Sequence, residues 1–137
     1  MMNEAMLSTD LMMLTWSAAL CAVIWVPYIL ARLAAWGVLD AVGYPESPPQ
    51  VPAWSARMHK AHLNLVENLV PFAALVLVAH VAGVANETTA LGAQIFFGAR
   101  VVHAVAYIFA VPFVRTVAFA AGIVGMAMIF MVIVGLI

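Results

Sequence analysis

Four long apolar runs, set apart by three polar or proline-rich interruptions, organise this chain. The first run, Leu11 to Ala31, contains no charged side chain. Trp16, Trp25, Tyr28 and Trp36 supply amphipathic rings suited to a membrane boundary. Arg32 follows, and Gly37 to Trp54 then gathers Gly43, Pro45, Pro48, Pro49 and Pro52. Proline lacks the amide proton a helix needs, so this stretch is predicted to be the longest loop. Ser55 is placed to cap a second helix, whose first half, Arg57 to Asn68, is polar and whose second half, Leu69 to Ala82, is apolar. Pro71 stands between the halves, where a helix can kink. Gly83 to Thr89 ends that helix and caps a third from about Ala90 to Val111, whose apolar run is interrupted by Arg100, His103 and Tyr107. Pro112 marks a tight turn, and Thr116 to Ile137 is uncharged throughout. The predicted helices are therefore residues 11–36, 56–82, 90–111 and 114–136, in one domain over residues 1–137.

Runs of this length and spacing predict an all-α integral membrane protein built as a four-helix bundle. About 20 helical residues cross the roughly 30 Å hydrocarbon core of a bilayer. A chain of 137 residues has room for about four crossings and no separate soluble domain. Composition agrees: 67% of residues are hydrophobic and 8% charged, where a soluble domain carries roughly a quarter charged. A membrane β-barrel would need alternating strands of about ten residues, which the pattern does not offer. Acidic residues precede the first run, and that run is too long for a signal peptide core, so it is predicted to be a retained helix. The five basic residues, Arg32, Arg57, Lys60, Arg100 and Arg115, lie in or near the helix ends that meet at the first and third loops. Glu87, Glu4 and Asp10 mark the second loop and the N-terminal tail. The positive-inside bias then predicts loops one and three in the cytoplasm and both termini outside. So compact a chain suits a bacterial inner membrane. No basic cluster offers the footprint a nucleic acid would require. The lone Cys21 supports neither a disulfide framework nor a cysteine metal site, and reads as a small hydrophobe.

Polar residues inside the predicted helices carry the candidate chemistry. At about 100° per residue, Arg57, Lys60, Asn64, Glu67, Asn68 and Pro71 share an arc of about 100° on the second helix. His59 and His62 fall outside that arc and read as interfacial or packing residues. On the third helix Arg100, His103 and Tyr107 share an arc of about 60°. An ionisable side chain at mid-bilayer costs about 3 kcal/mol, so the stripes should face each other or a wet cavity. One alternative is structural: Glu67 pairs with Arg100 in a seam that holds two helices together. The other is a ligand site. Both stripes together with Arg32 and Arg115 set five cations against the single carboxylate of Glu67. That excess suits a peptide-like ligand with two carboxylates, held by the cations, and one ammonium, held by Glu67. His59, His62 and His103 do not share a face, which argues against a metal. Ser17, Ser47 and Ser55 are too far from the stripes for a serine triad. A small permeation pathway lined by the stripes is a third alternative.

The segment Arg57-Met-His-Lys-Ala-His-Leu-Asn-Leu-Val-Glu-Asn-Leu-Val-Pro-Phe, followed by Arg100-Val-Val-His-Ala-Val-Ala-Tyr107 and Arg115-Thr116, resembles the MAPEG family, the membrane-associated proteins in eicosanoid and glutathione metabolism. The resemblance runs from the first predicted helix to the fourth. It implies a homotrimer of four-helix protomers with glutathione, as co-substrate, held between neighbouring protomers near the cytoplasmic side. By position it implies that Asn64 and Glu67 hold glutathione, that Lys60 stands where a basic residue is usual, and that Arg100, His103 and Tyr107 line the same pocket. Arg32 corresponds to a first-helix arginine reaching in from a neighbour. Arg115 corresponds to the catalytic arginine that stabilises the glutathione thiolate, with Thr116 as a second donor to sulfur. Leu63 and Phe119 depart from the pattern: prostaglandin synthase members carry an arginine and a tyrosine there, and their turn before the Arg115 position is one residue longer. The implied activity is a glutathione-dependent transferase or peroxidase acting on lipophilic electrophiles that arrive through the lipid bilayer. The alternative is a non-catalytic lipid-binding or scaffolding protein of the same fold, because the family includes a lipoxygenase-activating protein that catalyses nothing.

Overall fold

The computed structural model describes residues 6–137, all of its regular structure helical. Glu4, which entered the charge comparison, lies outside the described residues. The helices are α1 (Thr9–Val23), α2 (Trp25–Val42), α3 (Ala53–Val81), α4 (Glu87–Ile108) and α5 (Pro112–Ile133). α1 and α2 meet at Ile24, whose backbone remains helical, and together form one span of 34 residues. The division has a local cause: Pro27 has no N–H to give the carbonyl of Val23, four residues back at the end of α1. Among the described residues, four helices are thus long and apolar enough to cross a membrane.

The boundaries differ from expectation where glycine and proline act differently. The first helix does not end near residue 36. Gly37 adopts φ 75° and ψ 164°, a backbone reserved for glycine, and redirects the chain, after which helix resumes to Val42. No proline opposes helix until Pro45, so the glycine bends the helix without ending it. Ser55 is not a cap. α3 begins two residues earlier, at Ala53 after Pro52, and the buried Ser55 hydroxyl donates instead to the Tyr28 carbonyl at 3.5 Å. α3 continues through Pro71 to Val81. The third predicted helix starts at Glu87, three residues before the expected Ala90, because Asn86 and Thr89 cap it there. The Asn86 side chain accepts from the amides of Thr88 and Thr89, and the Thr89 hydroxyl accepts from the amide of Asn86. This reciprocal capping satisfies donors that the first turn leaves free.

α4 and α5 form the most extensive pair, folded against each other through the turn Phe109–Val111, with α1 and α3 packed on α4. Hydrophobic burial does not drive helix association in lipid, so close packing must. The contact between α4 and α5 shows how: an added Cβ on Gly92 would come within 2.6 Å of the Gly125 carbonyl. Gly125 of α5 therefore serves contact with α4 of the same chain. Next to that contact, Phe96 of α4 stacks on Phe72 of α3 with ring centres 3.8 Å apart. Val70, Leu77, Val105, Ile123 and Phe130 point outward, a surface that water would penalise and lipid accepts. The protein is an integral, multi-pass membrane protein.

Candidate functional site

In the second half of α4, on the side of its turn into α5, Arg100 is 2% exposed. Its aliphatic stem passes Gly122 of α5, where an added Cβ would lie 3.6 Å from Cδ. Beyond the stem, Nη2 donates to Oδ1 of Asn64 on α3 and lies 3.5 Å from Nδ1 of His103. A guanidinium only donates, so any hydrogen bond across this contact is accepted by Nδ1 of His103. The buried Nε of Arg100 has no partner among the described residues. Asn64 is steadied from behind by Asn68, whose amide donates to the Asn64 backbone carbonyl at 2.8 Å.

Arg115, in the first turns of α5, holds its guanidinium 4.8 Å from the centre of the Tyr107 ring. Pro112 opens α5, so the turn after α4 feeds Arg115 back over the last turn of α4. Asn64, His103, Tyr107, Arg115, Thr116 and Phe119 line one depression of about 200 Å³. Phe119 closes its edge, 6.0 Å from the Arg100 guanidinium and 6.3 Å from the His103 ring. The Thr116 hydroxyl donates to the Pro112 carbonyl at 3.1 Å, so it must rotate before it can donate to anything in the depression.

The remaining predicted residues lie elsewhere. Arg32 packs its guanidinium on Trp36 at 5.1 Å. Lys60 and Glu67 are exposed on α3 and make no hydrogen bond or ion pair with the described residues. The Glu67 to Arg100 seam is therefore not formed; Asn64 takes the guanidinium instead. The reason is angular. The polar arc of α3 is wider than its contact with α4, so only one edge of the arc meets Arg100. Arg57 reaches a different target, donating from Nε to the backbone carbonyl of Ile108 at 2.9 Å. Leu63, half exposed, stands apart from the depression.

His62 behaves as a packing residue, as its position outside the arc predicts. Its Nδ1 meets the Tyr28 hydroxyl at 2.7 Å and its Nε2 lies 3.7 Å from Sγ of Cys21, tying α3 to the first span. His59 packs on the same tyrosine. Among the described residues no three His, Cys, Asp or Glu side chains gather closely enough to hold a metal.

A second polar cluster, not anticipated from the sequence, occupies the opposite end of the bundle. Asp10 of α1 is 2% exposed and lies 2.9 Å from Nε2 of His80 on α3. Its carboxylate also accepts from the Ser8 hydroxyl at 2.7 Å, the Leu11 amide at 3.1 Å and the Thr89 hydroxyl of α4 at 3.2 Å. Ser8 and Asp10 both address the same nitrogen of His80, so the three cannot relay a proton as a serine triad does. The one sequence signal for this cluster is the spacing of Asn86 and Thr89.

Among curated proteins the chain is similar to microsomal glutathione S-transferase 1 of Rattus norvegicus, Homo sapiens and Sus scrofa. Identities are 39%, 38% and 39% over 56 residues, which is 41% of this chain and 36% of each relative. The matched region is thus about a third of those proteins' length. No solved structure matches. The model of the MAPEG family matches residues 13–135, across all four spans and both polar motifs, and the chain accordingly belongs to the MAPEG family.

Proposed function

We propose that this protein is a membrane-bound, glutathione-dependent transferase or peroxidase acting on lipophilic electrophiles. The observation that carries the reading is a surplus of positive charge at one depression. Arg115 lines it and Arg100 lies buried behind its lining residues Asn64 and His103; among the described residues no carboxylate pairs with either arginine, and the Arg100 Nε is unsatisfied. A buried cation without an anion is costly, and a ligand carboxylate or thiolate supplies one. Glutathione offers two carboxylates, an ammonium group and a thiol. Arg100, Asn64, His103 and Tyr107 would hold the peptide at the depression. Arg32, Lys60 and Glu67, which lie away from the depression, would complete the grip from a neighbouring protomer in a homotrimer. Glu67 would take the ammonium group.

A free thiol has a pKa of about 8.5 and is mostly protonated at neutral pH. The Arg115 guanidinium, fixed over the Tyr107 ring in a poorly solvated site, would favour the thiolate once the proton has left to solvent. The thiolate sulfur then bonds to the electrophilic carbon of the second substrate, and the leaving group departs with the electron pair of the broken bond. In the peroxidase variant the thiolate sulfur would attack the outer peroxide oxygen, the O–O bond would break with loss of the alcohol, and a second glutathione thiol would displace water from the resulting sulfenic acid to give the disulfide. Thr116 would add a hydrogen bond to sulfur after turning from Pro112. The excess of cations around this depression favours a cytoplasmic position for the α2 to α3 and α4 to α5 loops, with a bacterial inner membrane as the setting.

Calorimetry on the detergent-purified protein tests the reading. Saturable glutathione binding, weakened in Glu67→Gln and retained without turnover in Arg115→Ala, is the expected result. Absence of binding at millimolar glutathione would overturn it in favour of a lipid-binding or scaffolding role. One observation supports that second reading: apolar depressions border α4 and α5 at Val102, Phe113 and Val114, and they hold almost no polar atoms.

A further inference from the structure

The last turn of α4 is closed by a residue that the proposed mechanism does not use. A helix ends with four carbonyls that lack partners within it, and in a membrane water does not readily supply them. In α4 these belong to Val105, Ala106, Tyr107 and Ile108. The turn into α5 satisfies the first three: the amides of Phe109, Val111 and Ala110 donate to Val105, Ala106 and Tyr107 at 3.1, 2.8 and 3.2 Å. The fourth carbonyl, of Ile108, is taken by Nε of Arg57, reaching across from α3 at 2.9 Å. The turn is also strained, because Ala110 sits at φ 58°, a left-handed conformation that a residue with a Cβ adopts reluctantly. A strained three-residue turn, next to a helix-terminal carbonyl held by a side chain from another helix, is a natural hinge. Arg57 adds a positive charge at the negative end of the α4 dipole and a directional bond at the residue next to Tyr107.

We propose that Arg57 is a positioning residue: by holding the Ile108 carbonyl it fixes the turn between α4 and α5, and with it the placement of Arg115 over Tyr107. The two sides of that turn carry the two partners. Tyr107 precedes the anchored carbonyl by one residue, and Arg115 follows Pro112 by three. Arg57 itself does not line the depression, so it acts through the turn and not on the ligand. This inference rests on the proposed role of Arg115 toward a glutathione thiol.

The experiment measures the ultraviolet difference absorption of the bound glutathione thiolate as a function of pH, together with kcat and KM. The native chain, Arg57→Gln, Arg57→Lys, Arg115→Ala and the double variant Arg57→Gln/Arg115→Ala are compared. Misplacing a reacting group by about 1 Å can cost up to about a hundredfold in rate. The expected result for Arg57→Gln is a kcat about tenfold lower, KM changed by less than about twofold, and a thiolate titration moved toward that of free glutathione. Arg57→Lys, which keeps a charged donor, recovers part of the signal. In the Arg115→Ala background Arg57→Gln has no further effect on the thiolate, as coupled residues require. A thiolate titration identical in the native chain and Arg57→Gln overturns the role of Arg57 alone, as does full additivity with Arg115→Ala. No thiolate signal in the native chain overturns the glutathione reading and this inference with it.

Discussion

The two polar clusters at opposite ends of the bundle are built from similar materials and differ in how completely they satisfy themselves. Around Asp10 one carboxylate meets an imidazole, two hydroxyls and a backbone amide, drawn from the N-terminal segment, α1, α3 and α4. Around Arg100 and Arg115 two guanidiniums meet one amide oxygen, one imidazole and two aromatic faces, and one donor remains unpaired. A cluster that only holds helices together gains most when every group is matched, because an unmatched buried charge weakens it. The Asp10 cluster has that character. Its counterpart does not, and that mismatch is what supports the proposal of a ligand there over a fastening between helices.

Four substitutions can break this contrast. Arg115→Ala is expected to lower kcat with glutathione by about a hundredfold or more while leaving the assembly intact in size-exclusion chromatography. Substantial residual turnover would remove Arg115 from the chemistry. Asp10→Ala removes the carboxylate that joins His80, Ser8 and Thr89 and is expected to destabilise the fold by about 3 kcal/mol in denaturant titration, with glutathione affinity unchanged in the folded fraction. Loss of affinity there would mean that the two ends are coupled. Arg100→Met is predicted to act in the opposite sense, weakening glutathione by about tenfold to thirtyfold while the unfolding midpoint stays level or rises. A fold that collapses without this arginine would make it a fastening after all. Gly122→Ala should cost less than about 0.5 kcal/mol, because the added methyl group meets the Arg100 stem at ordinary contact distance, 3.6 Å. The same change at Gly92, where backbone stands in the way, provides the contrasting control.

Periodicity and punctuation in the sequence carried most of the fold. Four uncharged or lightly charged runs specify the spans, and Asn86 with Thr89 announces the start of α4. What local pattern could not show was how glycine and proline would divide their work: Gly37 bends where an ending was expected, and Pro52 sets the start of α3 ahead of Ser55. In the candidate site, helical spacing correctly grouped Arg100, His103 and Tyr107, because all three lie on one helix and one rotation relates them. The α3 stripe was only half legible. Asn64 and Glu67 are a turn apart on neighbouring rows, and which row meets α4 depends on a packing angle that no single helix encodes. The Asp10 cluster was invisible for the same reason, since its members come from separate segments and none looks unusual alone. Arg57 was noticed as a charge, whereas its partner is a main-chain carbonyl, a group every residue has.

The helices are also rulers of unequal length. At 1.5 Å per residue, α4 and α5, of 22 residues each, measure about 33 Å and match a bilayer core. α3, of 29 residues, runs to about 43 Å, and the joined α1 and α2 run for about 42 Å before Gly37 redirects the chain. α3 overhangs at its N-terminal end and the first span at its C-terminal end, which is the end that holds Arg57, Lys60 and Arg115. Those cations can therefore lie among phosphates and glycerol, at the level of the headgroups, while the Asp10 cluster sits near the opposite boundary. A thinner or thicker membrane would shift the depression relative to that boundary, and so bilayer thickness would set how readily a water-borne peptide and a lipid-borne electrophile meet there.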